Sequence, residues 1–310
     1  MLTRISVVAL NTYREAVRAR VLHGLFALAL CTAAYSLVVG AYTSKNAMRV
    51  VSDLGSASIS LYGVIVAVVL GATSLYRELE LKTIFPILAR PIGRGEYLVG
   101  KYIGTVLTLT VFIAANAGVL LLALGQMAGR SFALVLGLAL GVTTVIALVG
   151  FWRRRWLTYL PILWAALMLL LGLAFAESAP DHRRVVAGLS LLAVCEVCIV
   201  AAIATVFSAF SSPFLTAIFT FGVFIVGRTA DTLAHLPPKV FGEGIHALGV
   251  SLSKVVPNLM LYVPERTLLT GEASDVDLGP YLAQSSLHAL AWVVGLLAIA
   301  TLIFRRRDFL

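Results

Sequence analysis

Eight apolar stretches separated by short polar ones run along this 310-residue chain, at 21–40, 56–75, 102–124, 132–151, 157–176, 185–207, 213–226 and 281–304. A bilayer core takes about 20 apolar residues per helix, and all but the seventh stretch approach that length. None shows the alternation of apolar and polar positions that a membrane β-barrel needs, so the pattern predicts helices. The predicted fold is all-α: a polytopic membrane helix bundle of about eight transmembrane helices. Composition agrees, since 60% hydrophobic and 13% charged residues with mean hydropathy +0.97 exclude a water-soluble globule.

An even number of spans places both termini on one side. With that side cytoplasmic, the inner segments hold Arg4, Arg14, Arg18, Arg20, Arg77, Lys82, Arg90, Arg94 and Lys101, with Arg153–Arg155 and Arg305–Arg307 completing the set. These are fifteen of the 24 basic residues, so charge bias predicts N-in, C-in orientation, in a bacterial cytoplasmic (inner) membrane. The +9 formal charge then reflects topology and anionic membrane lipid, and no nucleic-acid partner is expected.

Residues 1–20 are a long, partly acidic approach to the first span, unlike a signal peptide. On a helix Ile5, Val8, Ala9, Thr12 and Ala16 share a face while Arg4, Asn11, Arg14 and Arg18 lie mostly opposite. That predicts an N-terminal amphipathic interfacial helix, or else a basic leader that orients the first span. The remainder, 21–310, reads as one transmembrane domain.

Between the second and third stretches, residues 76–101 carry Arg77, Glu78, Glu80, Lys82, Arg90, Arg94, Glu96 and Lys101. Glu78 and Lys82 stand four apart in the order that favours a helix, with Thr83 beside them. Pro86 and Pro91 limit that helix, and Gly93 and Gly95 let the chain turn into the next span. Charge pattern alone admits either a short cytoplasmic helix offered to a partner or a solvated loop that enforces topology. Gly95 to Tyr102 also matches GxxxxGK, but Tyr102 stands where a magnesium-binding Ser or Thr is required and no strand precedes it. The match is a coincidence of spacing. No catalytic residue and no cofactor is predicted.

Inside the predicted membrane region Glu196 falls mid-span, where a charged side chain costs about 2.5–3.5 kcal/mol to insert. It lines a pathway, binds a cation or relays protons; otherwise it holds helices together through hydrogen bonds. Cys195 and Cys198 flank it one helical turn apart, which suits small apolar filler more than a metal site, and no metal is predicted. Gly137 and Gly141, in the hairpin 132–176, form GxxxG and permit close helix approach. Residues 228–280 form the largest extracytoplasmic segment, with a short surface or re-entrant helix expected near 241–256. Its acidic run 272–277 offers contact to a periplasmic partner, or is simply a solvated loop.

The order E-x-x-T-I-x-x-I-L-A-R-P-I-x-R-x-E-Y-L-x-G-K, from Glu80 through Thr83, Ile84, 87–92, Arg94, Glu96, Gly100 and Lys101, resembles the cytoplasmic loop of ABC-2-type transporter permeases. More narrowly it resembles permeases of the multicopper-enzyme-maturation, nitrous-oxide-reductase copper-maturation type. Asn11–Glu15 (NTYRE), Phe207–Phe214 (FSAFSSPF), Val256-Pro257-Asn258 and the ending FRRRDF resemble further parts of that subgroup. The resemblance implies two permease subunits, as a homo- or heterodimer, driven by two separate ABC-type ATPase subunits docked on a coupling helix, and a function as an alternating-access permease. By that carry-over Arg77, Glu78, Glu80, Lys82 and Thr83 contact the ATPase. Arg90, Pro91, Arg94, Glu96, Gly100 and Lys101 anchor the loop. Such permeases usually have six spans, so 132–176 is an extra transmembrane hairpin. The alternative is an ATP-independent secondary transporter, or a membrane scaffold, centred on Glu196.

Overall fold

The computed structural model describes residues 2–43, 46–80, 93–237, 242–271 and 277–306, with the side chains of 74–80 outside the description. These residues form α-helices and short 3-10 turns, with no strand among them. In chain order the helices are α1 (Leu2–Arg18), α2 (Arg20–Tyr42), α3 (Ala47–Glu80) and α4 (Arg94–Met127). Then come α5 (Phe132–Trp152), α6 (Leu160–Phe175), α7 (Pro180–Ser208) and α8 (Pro213–Arg228). Short helices α9 (Ala230–Ala234), α10 (Glu243–Val255) and α11 (Arg266–Thr270) precede the last, α12 (Leu278–Arg306).

Among the described residues, seven segments are long and apolar enough to cross a membrane: α2 to α7, with α6 extended by its 3-10 turn to Ser178, and α12. The seventh apolar stretch is different. It forms α8, whose 16 residues span about 24 Å, short of a hydrocarbon core of about 30 Å. The chain then turns back through α9 and α10, where Gly249 packs against the Leu233 carbonyl and His246 Nδ1 lies 2.8 Å from the Leu236 carbonyl oxygen. Beyond Arg228, α9 and α10 pack against each other and touch the end of α8.

α3 and α4 are longer than the sequence pattern suggests. Each has 34 residues, or roughly 51 Å, well beyond the bilayer core. They pair antiparallel, with Gly55 against Leu120 and Gly63 against Ile113. The end of α3 and the start of α4 therefore lie on the same side of the bundle. At the start of α4 the Gly93 N–H donates to Glu96 Oε2 at 3.1 Å, satisfying an N-terminal donor and placing a carboxylate at the positive end of the helix.

The core is built on α3, α4 and α7, where Val64, Ala67, Leu109, Ile113, Val197 and Val200 are fully or almost fully buried. Small residues set the spacing, with Gly71 of α3 in contact with Ala204 of α7. α1 does not turn its apolar face to lipid. Ala9, Thr12, Tyr13 and Ala16 are buried, and Val8 and Thr12 pack onto Gly100 and Gly104 of α4.

The hairpin α5–α6 is attached through α6. A Cβ at Gly118 of α4 would lie 2.5 Å from the Met168 carbonyl carbon, and one at Gly172 would lie 2.6 Å from the Gly118 carbonyl oxygen. The α4 and α6 backbones therefore touch. Outside them α5 is exposed along most of its length, and Gly137 and Gly141 meet nothing within 4 Å. The close helix approach that their spacing permits is not made among the described residues.

Candidate functional site

Glu196 lies twelve residues before the end of α7, about 18 Å along the helix; Arg228 lies fifteen after the start of α8, about 22 Å. Because α7 and α8 are joined by the turn 209–212, the two side chains arrive at the same depth. Arg228 Nε donates to Glu196 Oε1 at 2.7 Å and Nη2 donates to Oε2 at 3.0 Å. Ser60 of α3 closes a triangle, donating to Glu196 Oε2 at 2.9 Å while accepting from Arg228 Nη2 at 3.0 Å. The carboxylate is fully buried, whereas the arginine side chain remains 25% exposed, its guanidinium 5.5 Å over the Phe224 ring. Three helices are thus tied by one two-point ion pair and a hydroxyl. Taking one partner away would strand a charge, at a cost of about 3–5 kcal/mol.

A second polar group sits near the α3 end remote from the charged loop. Arg266, which opens α11, bonds Asp53 and donates to Ser52 Oγ at 3.0 Å and His182 Nδ1 at 2.8 Å. Arg49 stands one turn before Asp53, with Nε 3.7 Å from Asp53 Oδ2. Between the two groups lies a cavity of about 580 Å³, walled by α3, α7, the end of α8 and the segment 260–269. Tyr262 forms part of that wall, donating to the Ser285 carbonyl at 3.2 Å and lying 2.9 Å from His288 Nδ1. Burial pushes its phenol above the ordinary tyrosine range, which keeps the hydroxyl a neutral donor.

The residues predicted from the charged loop are divided. Arg77, Glu78 and Glu80 are on the last turns of α3, but their side chains fall outside the described residues, as do Lys82, Thr83, Arg90 and Pro91 entirely. Arg94 Nη1 donates to the Arg305 carbonyl at 3.0 Å, so among its contacts is the open C-terminal turn of α12. Glu96 caps α4, and Gly100 gives α1 room. Lys101 is 5% exposed, with Nζ 5.7 Å from the centre of the Tyr97 ring. It is inside the bundle. Residues 95–102 are continuous helix, which no phosphate-cradling loop is.

The other sequence candidates disperse. Cys195 Sγ lies 3.8 Å from Ser286 Oγ, and Cys31 is exposed on α2. Among the described residues no group of three or more His, Cys, Asp or Glu gathers closely enough to hold a metal ion. Sequence reasoning missed Ser60, Arg228, Asp53, His182 and Arg266. Asp53, Ser56 and Ser60 have the 3–4 spacing of one helix face, and that polar stripe was a usable signal. Nothing local connects Arg266 to Asp53, since 213 positions separate them.

The described residues thus form a helical bundle with seven helices long and apolar enough to cross a membrane and a buried ion pair between two of its helices. Residues 6–309 match the ABC-2 family transporter protein family, and the chain belongs to it. No curated protein matches significantly. Members are the membrane part of a transporter, not themselves catalytic, and normally work with an ATPase subunit. The match is to the family at large and lends no support to the copper-maturation type.

Proposed function

We propose that this chain is the permease subunit of an ATP-driven transporter of a bacterial inner membrane, oriented N-in and C-in, with α8 and residues 229–277 together making the eighth crossing. Two copies, or this chain and a second permease, pair with two ATPase subunits and work by alternating access. The observation that carries this reading is the match of residues 6–309 to the ABC-2 family, supported by the antiparallel pair of 34-residue helices α3 and α4, which leads the chain into and out of the charged stretch at one end of the bundle, the tip. Closure of the ATPases pushes on that tip, and two stiff helices transmit the push to the core formed with α7. Arg94 and Glu96 brace the root of the tip through α12 and the α4 cap.

An ATP-independent transporter centred on Glu196 is the weaker reading. Both oxygens of that carboxylate already accept bonds from Arg228, which suits a helix tie better than a proton or cation carrier.

The test is charge reversal at Glu78 and Glu80 together. In the complex purified with its ATPase, the double variant is expected to lose at least about tenfold in substrate-stimulated hydrolysis, equivalent to ~1.4 kcal/mol of docking energy. Its elution and melting should match the parent. Unchanged stimulated hydrolysis contradicts the coupling role.

A further inference from the structure

We infer that the 580 Å³ cavity beside Arg228 is a binding site for an uncharged amphiphile, with a hydrogen-bonding head and an apolar body. The volume lies within the range of about 300–1,000 Å³ typical of small-molecule sites. The walls decide the class of ligand. Leu61, Leu189, Phe224, Met260 and Val263 make most of the surface apolar, and its charged groups come from the two clusters at its ends, Arg228 from one and Asp53 and Arg266 from the other.

The charges that line the wall are paired there, and Arg49, which also approaches Asp53, is not on the wall. Arg228 is matched by Glu196 at one end, and Arg266 by Asp53 at the other. Each guanidinium already has its carboxylate, so a ligand bearing a bare charge would find no spare counter-charge in the cavity and would be desolvated at a loss. A neutral molecule meets no such penalty, and its body removes apolar wall from contact with water.

A spare hydrogen-bonding group faces the same space. Ser52 and Ser58 close their hydroxyls onto α3 carbonyls, to Arg49 at 2.9 Å and Gly55 at 2.7 Å. Ser56, 5% exposed and on the cavity wall, does not, and its Oγ has no partner. Rotation about χ1 offers that hydroxyl to a ligand head without breaking an existing bond. Arg228 and Arg266 keep donors on their cavity sides, being 25% and 19% exposed.

Calling this ligand the transported substrate rests on the permease reading; the binding itself does not. The cavity lies in the half of the bundle away from the charged tip, so as a substrate site it belongs to the far side of the pathway.

The experiment uses the full chain in nanodiscs and three photoreactive probes with the same diazirine-bearing tail, ending in an alcohol, a carboxylate or a trimethylammonium group. Adducts are mapped by peptide mass spectrometry. The alcohol is expected to label peptides containing Leu61, Leu189 or Met260, to be displaced by excess unlabelled alcohol, and to lose that labelling in Ala57→Trp, which fills the cavity from its wall. The charged probes should label only lipid-facing positions. Leu290→Trp, on the exposed face of α12, should leave the cavity labelling intact and controls for general effects of a bulky residue. If Ala57→Trp fails to fold, Ser56→Ala replaces it and should weaken labelling by the alcohol alone. Equal labelling by all three probes, or alcohol labelling indifferent to both cavity variants, overturns the inference. Cavity labelling in a chain that recruits no ATPase would leave the site standing and remove the permease reading instead.

Discussion

Arg228→Met should be the most damaging single exchange in the interior of this bundle. It leaves the fully buried Glu196 carboxylate with one serine hydroxyl where it had three donated bonds. Stranding a buried charge in this way costs about 3–5 kcal/mol, a large share of the stability of most folded chains. Glu196→Gln should be milder. Glutamine keeps an acceptor oxygen for Arg228, and the arginine side chain, 25% exposed, can take water from the cavity. The double variant should recover much of the loss, because removing both charges together leaves none uncompensated. Melting curves of the three variants in one detergent form a double-mutant cycle that reads this coupling directly. Losses that simply add would show that the pair does not tie α7 to α8.

Gly118→Leu should produce the second large effect. Even a methyl group there would collide with the α6 backbone at 2.5 Å, and a helix cannot yield locally as a flexible side chain does. Overpacking typically costs about 1–3 kcal/mol, and displacement of a whole helix places this site at or above the upper end. The expected result is a chain whose α5–α6 hairpin is loosened and newly open to proteolysis at the 153–156 turn. Gly137→Leu and Gly141→Leu should be silent, because both glycines face open space. Equal damage from the two sets, measured by folded yield and limited proteolysis, would contradict the packing described.

That contrast also marks what the sequence can convey. GxxxG spacing identified Gly137 and Gly141 as capable of close approach, while the contact is made by Gly118 and Gly172, which share no motif because they lie on different helices. Helix type and seven of the eight expected spans were legible, since apolar runs of about 20 residues have few other uses; the short seventh run forms a helix below that length. Helix ends were less so. α3 and α4 run on through charged residues that hydropathy assigns to a loop, and helical structure there depends on propensity and pairing more than on apolarity.

The site was half legible. Glu196 announced itself as a lone acid inside an apolar run. Arg228 lay only two residues past the predicted end of a run that was too short, and read as the start of an outer segment. Because α8 runs back along α7 and ends beside Glu196, that same arginine becomes its partner. The α1 face of Ala9, Thr12 and Ala16 was read correctly as apolar, but sequence cannot say whether lipid or α4 covers it. Gly100 and Gly104 on α4 decide that.

The central claim is that a separate ATPase drives this chain through the α3–α4 tip. It is tested most directly by purifying the tagged full-length protein from native membranes in a mild detergent and quantifying what accompanies it by mass spectrometry. The account predicts an ABC-type ATPase in equal copy number with the permease subunits, lost on charge reversal at Glu78 and Glu80. Recovery of the intact chain without any such ATPase, in several detergents and with an ATP analogue present, would contradict it.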